Sequence, residues 1–180
     1  MASWSAVARR IRVPLGFAFA VLYFWLAKPS VQSILLGAAL VIPGLVIRAL
    51  ASGHLQKNEQ LATGGPYAYI RNPLYLGSLI LSVGFALAAR SWWIVAGIVI
   101  LFFVIYLPVI RSEETFLRER FPQFDEYARK VPSLLPRLSR FGNGGGSFSW
   151  KLYWKHREYN AALGSLAMMA GLLAKILMKT

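Results

Sequence analysis

Apolar residues in this chain fall into long blocks, with few polar positions inside them. Five blocks stand out: Val13 to Ala27, Val31 to Ile47, Leu74 to Ala89, Trp92 to Ile110 and Tyr159 to Met178. Each predicts a membrane-spanning helix, because a helix satisfies its own backbone in hydrocarbon, where no water can. The first is short for a crossing that needs about 20 residues, so Arg12 and Lys28 are expected to snorkel from its ends. Pro43 predicts a kink in the second span. Only Arg90-Ser91 separates the third span from the fourth, so these two are expected to form a tight helical hairpin. Three spans carry glycines seven apart: Gly37 and Gly44, Gly77 and Gly84, Gly164 and Gly171. Seven residues is about two helical turns, so each pair marks a face on which another helix can come close.

The longest polar region runs from Arg111 to Glu158. Phe116, Leu117, Phe124, Tyr127 and Val131 lie there among charges, which predicts short amphipathic helices at the interface, broken near Pro122. Pro132 and Pro136 stop helix formation, and residues 142–147 read as a flexible glycine-rich linker. That linker lacks the Lys-Ser/Thr of a phosphate-binding loop. The expected architecture is therefore all-α: one membrane-embedded domain over residues 1–180, a bundle of about five spans with a functional end in the cytoplasm.

Composition supports the membrane assignment. Hydrophobic residues make up 57% of the chain and charged ones 15%, against about a quarter charged in a soluble domain. A net charge of +13 raises the possibility of nucleic-acid binding. The basic residues flank the apolar blocks, however, and do not form a stripe interleaved with aromatics, so no nucleic-acid partner is expected. With the N-terminus in the cytoplasm, sixteen of the twenty Lys and Arg residues and all seven acids lie inside. The positive-inside rule thus orients the chain, in what is expected to be the cytoplasmic membrane of a prokaryote. Arg9, Arg10 and Arg12 before an apolar run resemble a signal peptide, but no small-x-small cleavage site follows, so the segment reads as a retained first span. The chain has no cysteine, and His54 and His156 form no ligand motif, so no metal site is expected.

Candidate chemistry gathers at the cytoplasmic ends of the spans. Gly64-Gly65-Pro66-Tyr67-Ala68-Tyr69-Ile70-Arg71-Asn72-Pro73-Leu74-Tyr75-Leu76-Gly77 leads into the third span. Gly-Gly-Pro predicts a turn, and Pro73 suits the first turn of a helix. Arg111-Ser112-Glu113-Glu114 closes the fourth span. Two acids at a helix C-terminus oppose the helix dipole, so another group is expected to hold them. The hairpin brings them near Arg71 and Tyr75. Trp154-Lys155-His156-Arg157-Glu158-Tyr159-Asn160 adds polar groups at the same face, either as an interfacial anchor or as a wall of a site.

Taken together, these stretches resemble the isoprenylcysteine carboxyl methyltransferase and phospholipid methyltransferase family. The resemblance rests on Gly65-Pro66-Tyr67, Arg71-Asn72-Pro73, Tyr75-Leu76-Gly77, Glu113-Glu114, Phe121 to Tyr127, Val131-Pro132 and Pro136, in that order with the hydrophobic hairpin between. Two positions depart from the family pattern: its histidine is Asn72 here, and its glycine after phenylalanine is Pro122. Asparagine cannot titrate near neutral pH, which leaves that position a binding role and removes an acid–base one. The resemblance implies methyl transfer from S-adenosylmethionine to an amphiphilic acceptor, a lipid-borne carboxylate or a phospholipid amine, that reaches the site from the bilayer. It implies cofactor binding by Gly65, Tyr67, Arg71, Asn72, Pro73, Tyr75, Gly77, Glu113 and Glu114. The expected catalytic carboxylates are Glu113, Glu114 and Glu158, with Tyr69, Arg157 and Tyr159 facing the acceptor. Tyrosine faces suit a sulfonium cation, arginine suits a carboxylate, and a glutamate suits a ribose diol. Two other classes compete: a small multidrug-type transporter, and a sterol-type reductase using NADPH. A transporter of that kind places an ionisable group at mid-membrane, and spans three and four contain none.

Overall fold

The computed structural model describes residues 4–56, 59–142 and 146–178. Lys57, Lys179, residues 143–145 of the expected linker and the side chains of Arg9, Arg10 and Arg12 lie outside the described part. Among the described residues there are helices and no strands. We label the helices α1 (Trp4–Leu26), α2 (Val31–His54), α3 (Pro73–Ala89), α4 (Trp92–Arg120), α5 (Phe124–Lys130), α6 (Trp150–Lys155) and α7 (Tyr159–Leu177). A short 3-10 turn, Gly65–Ala68, precedes α3.

Three helices are long and apolar enough to cross a membrane: α2, α4 and α7. The apolar parts of the other two expected spans, Pro14–Leu26 and Pro73–Ala89, are shorter. α1 reaches back to Trp4 with Pro14 inside it, so its helix exceeds the apolar block. Likewise α2 continues past Pro43 to His54.

The glycine faces decide how the bundle packs. Gly37 of α2 meets Gly84 of α3, and Gly44 meets Gly77, so the two helices run antiparallel with backbones in contact. A Cβ on Gly37 would sit 2.6 Å from the Gly84 carbonyl oxygen, and one on Gly77 would sit 2.8 Å from that of Gly44. The close partner of α3 is therefore α2, across the chain connection, and not α4, its neighbour in the expected hairpin. The third glycine pair does less. Gly171 makes room for Phe24, while Gly164 faces open space.

At the end of the bundle away from the 3-10 turn, Ser30 and Ser33 form a capping box that starts α2, and the Ser33 hydroxyl also donates to the Ala88 carbonyl at 2.9 Å. Arg90 adopts a left-handed conformation (φ 50°) that turns α3 into α4. The Lys175 ammonium of α7 donates to the carbonyls of Phe24, Trp25 and Ala27. It thereby supplies a cation where α1 ends and its last carbonyls lack helical partners.

α4 is one helix with a wide turn inside it. Residues Phe102–Tyr106 are π-helical, and the Leu107 N–H reaches back to the Phe102 carbonyl. Pro108 lies just beyond. It has no N–H to continue the regular ladder, which is the physical reason for the widening. Below that turn α4 carries on as a polar helix to Arg120, where a freely lying interfacial helix was expected. The chain breaks at Phe121–Gln123 and resumes as α5, as Pro122 predicts.

Candidate active site

Two polar clusters sit at the end of the bundle that carries the 3-10 turn. The first centres on Glu114, near the end of α4. Its Oε1 accepts from Asn72 Nδ2 at 2.8 Å and from Ser133 Oγ at 2.9 Å. Arg71 pairs with the same carboxylate, Nε lying 3.3 Å from Oε1 and Nη2 3.4 Å from Oε2. Arg71 Nη1 donates to the Ala128 carbonyl of α5 at 3.0 Å. The Nε–H does not point along its 3.3 Å contact, so this buried donor has no hydrogen-bond acceptor among the described residues. Asn72 occupies the N-cap position of α3, yet its side chain caps nothing and is spent on Glu114 and Ser133. Pro73 is fully buried beside it. α4 runs on to Arg120, so the two acids do not stand at a helix C-terminus as expected; Arg71 and Asn72 hold Glu114 as an ordinary ion pair and hydrogen bond.

A strap holds this loop down. Arg71 and Asn72 donate their backbone N–H groups to the carbonyls of Pro132 and Ser133, while Tyr69 and Ala68 accept from Arg137 and Phe141. The Tyr127 hydroxyl of α5 donates to the Tyr67 carbonyl at 2.7 Å. Burial pushes the Tyr127 phenol up, helped by the charge of Glu114 and opposed by Arg71, so it stays a donor.

The second cluster joins α2, α3 and α7. Arg48 grips Glu158 with two bonds, Nε to Oε1 at 2.6 Å and Nη2 to Oε2 at 3.1 Å. Its Nη1 donates to Ser78 Oγ at 2.5 Å and to the Leu74 carbonyl at 3.5 Å. Sequence reasoning counted Arg48 only as a basic residue flanking a span. The available signal was its place four residues after Gly44, on the same face. Glu158, expected as a catalytic carboxylate, has both oxygens committed to Arg48, so it is no free base. Gly77, expected beside the cofactor, instead makes room for Arg48, since a Cβ there would lie 2.6 Å from Arg48 Cγ.

Tyr67 lies between the clusters, 6% exposed. Burial pushes its phenol up, and the nearby Tyr127, Glu113 and Glu158 push it further. Glu113 is half-buried and makes no ion pair or hydrogen bond through its carboxylate to the described residues. Tyr69 is 38% exposed. Tyr75 stands edge-on to Tyr106 with ring centres 6.1 Å apart, beside the wide turn of α4. Tyr159 packs on Trp154, ring centres 5.0 Å apart, and Arg157 takes a left-handed conformation (φ 53°) to turn α6 into α7. Gly65 also has a positive φ, 55°, and a side chain there would strike the His54 ring. His54 is therefore packed beneath the turn.

A phospholipid methyltransferase family profile matches residues 12–123, a stretch that holds Arg71, Asn72, Glu113 and Glu114. The chain belongs to the phospholipid methyltransferase family. As a member of that family it is a methyltransferase with apolar, membrane-type helices. The match stops before Ser133, Arg157 and Glu158, whose placement rests on this chain's own geometry. Among relatives, the chain is similar to the cobalt-zinc-cadmium resistance protein CzcN of Cupriavidus metallidurans, 34% identical over 84% of this chain and 72% of that protein. It is also similar to the nickel-cobalt-cadmium resistance protein NccN of Alcaligenes xylosoxydans xylosoxydans, 36% identical over 65% of this chain and 54% of the relative. Protein-S-isoprenylcysteine O-methyltransferase B of Arabidopsis thaliana is 28% identical over 63% of this chain and 61% of that enzyme. The chain thus spans between about half and three quarters of these relatives. No solved structure matches it.

Proposed function

We propose that the chain transfers a methyl group from S-adenosylmethionine to an amphiphilic acceptor at the cytoplasmic face of the membrane. The observation that carries this reading is the buried Arg71 Nε–H, a donor without an acceptor among the described residues, inside the Arg71–Asn72–Glu114 cluster. A donor so placed fits a ligand carboxylate. Asn72 and Ser133 hold Glu114, Glu114 holds Arg71, and Arg71 keeps one N–H for the ligand. Glu113 keeps a free carboxylate for a diol or a proton. Tyr75 and Tyr106 offer ring faces to a cation. Bound there, S-adenosylmethionine supplies an electrophilic methyl group.

The protein's own contribution is orientation in a setting poor in water. A lipid-borne carboxylate is already ionised near neutral pH. A phospholipid amine must first lose a proton, and Glu113 is the carboxylate free to take it. The names of two relatives speak of metal resistance. Among the described residues, no group of three or more His, Cys, Asp or Glu is arranged to hold a metal ion. The family match is to methyltransferases, and on that ground we read the chemistry of this chain as methyl transfer.

Radiolabelled S-adenosylmethionine should bind the purified protein and be displaced by S-adenosylhomocysteine but not by NADPH. Displacement by NADPH would favour a reductase, and absence of binding would remove the enzymatic reading. Orientation is tested separately, and the lack of native cysteine makes single-cysteine labelling clean. A membrane-impermeant thiol reagent added to intact cells should label Lys28→Cys, in the exposed α1–α2 loop, and leave Gln123→Cys untouched. The reverse pattern would put the site on the opposite face.

A further inference from the structure

α3 is drawn against α2 by its glycines and stands off from α4. The space left between α3 and α4 is a groove of about 610 Å³. Ligand sites fall at about 300–1,000 Å³, whereas gaps in a packed interior seldom exceed a water molecule. Leu79, Val83 and Ala86 line the groove from α3, and Val95, Ile98 and Phe102 from α4. Its charged and hydroxyl groups, Arg90 and Ser91, lie together at one end. Beside them Trp92 and Trp93 are 86% and 76% exposed. Tryptophan concentrates where hydrocarbon meets headgroups, so Arg90 stands at that level. From Arg90 along α3 to Leu79 is about 17 Å, and half the hydrocarbon thickness is about 15 Å. The groove thus runs the depth of one leaflet and ends at the wide turn of α4, where Phe102 lies. Glu114 is about 18 Å further along α4, so this groove is separate from the candidate active site.

Charge decides what covers it. Arg90 is exposed, and its guanidinium makes no ion pair or hydrogen bond to the described residues. The chain cannot supply it an acid, since all seven fall at positions 59, 113–126 and 158, at the other end of the bundle. Lys28 adds a second cation nearby, its backbone N–H donating to the Ala89 carbonyl at 2.8 Å. Ser91 stands at the N-cap position of α4, yet its hydroxyl caps nothing. An apolar groove one leaflet deep, with an uncompensated cation and a hydroxyl at its mouth, has the shape and polarity of a phospholipid turned inside out. We propose that this groove binds one acyl chain of a phospholipid with net negative charge, whose phosphate is held by Arg90. A zwitterionic headgroup fits less well, because its own ammonium offsets the phosphate. The lipid site is independent of the chemistry proposed above and lies in the opposite leaflet from it.

The test uses the full chain in nanodiscs of equal parts phosphatidylglycerol and phosphatidylcholine with the same acyl chains. One of the two lipids carries a diazirine near the end of a chain, and the peptides labelled on irradiation are mapped by mass spectrometry. Labelling of residues 79–103 by phosphatidylglycerol should exceed that by phosphatidylcholine at least about fivefold, the scale of one cation acting on an anionic lipid. Arg90→Asn should bring the two lipids to within about twofold of each other, and asparagine suits the left-handed conformation of this turn. Arg90→Lys, which keeps the charge, should keep the preference. Val83→Trp, which fills the groove away from the turn, should remove most of the labelling by both lipids, and it serves if Arg90→Asn does not fold. Equal labelling by the two lipids in the wild type would overturn the proposal and leave ordinary boundary lipid on an apolar face. A preference that survives Arg90→Asn overturns it too. So does a wild type that labels weakly with both lipids and forms a dimer that Val83→Trp breaks, since a second copy of the chain then fills the groove.

Discussion

A leucine at Gly84 removes most of the folded protein. A Cβ at this position already lies 2.7 Å from the Gly37 carbonyl oxygen and 3.1 Å from the Val41 nitrogen. Both are backbone atoms, so no rotamer change relieves the contact. α2 and α3 must separate, and the close approach that holds them in hydrocarbon, where burial away from water offers no drive, is lost. Overpacking typically costs about 1–3 kcal/mol, and a collision with backbone at the centre of the tightest helix pair belongs at or above the top of that range. Separation would also pull Arg48 off Ser78 and Gly77. The measurement is the fraction of protein resisting SDS-induced unfolding, with Gly164→Leu as control. Gly164 has nothing within 4 Å of an added Cβ, so its leucine should change stability by no more than about 0.5 kcal/mol. Equal behaviour of the two variants would mean that the glycine contact is not what holds α2 to α3.

Glu114→Ala abolishes cofactor binding, with S-adenosylhomocysteine affinity falling about 100-fold or more. The carboxylate is the hub of Arg71, Asn72 and Ser133, and its side chain is 17% exposed. Removing one partner of a mostly buried pair leaves the other charge uncompensated, at about 3–5 kcal/mol. Arg71 then turns toward water, and the donor proposed for the ligand carboxylate goes with it. Asn72→Leu removes two donated bonds and no charge, so its effect should be smaller, about 1–3 kcal/mol. Asn72→His should keep most of the affinity, because an imidazole N–H can still reach Glu114. Calorimetric titration of the three variants gives the ranking. A Glu114→Ala protein that binds as wild type would make the cluster a structural staple only.

The sequence made some of this legible and hid the rest for definable reasons. Apolar blocks gave the five long helical stretches, and two adjacent acids beside an apolar block drew attention to Glu114, although the helix runs on to Arg120 and the dipole is not what calls for a partner. Those signals are local, or cross only one hairpin. The choice of α2 over α4 as the partner of α3 is a matter of surface fit. It was written in the matching spacing of Gly37/Gly44 and Gly77/Gly84, which a pass along separate spans does not compare. The Arg48–Glu158 pair joins residues 110 apart in the chain. Nothing in the composition of either neighbourhood couples them until α7 is packed on α2. Ser133 was passed over as a loop serine between two stop signals, although the strap to Asn72 needs a hydroxyl there. Pro108 was also in plain view, and the reading of the fourth block as one regular span passed it over.

That wide turn sets the angular phase of everything below it. Each residue of an α-helix advances about 100° around the axis, and a π turn absorbs an extra residue without ending the helix. The upper half of α4 turns Ile94 into the bundle core, while the lower half brings Glu114 against Arg71 and Asn72. Without the turn at Phe102–Tyr106, the same sequence would carry its two acids about 100° further round, away from that loop. Pro108 thus acts as a gear offset between a lipid-adapted half and a chemical half of one helix, letting each keep its own preferred face.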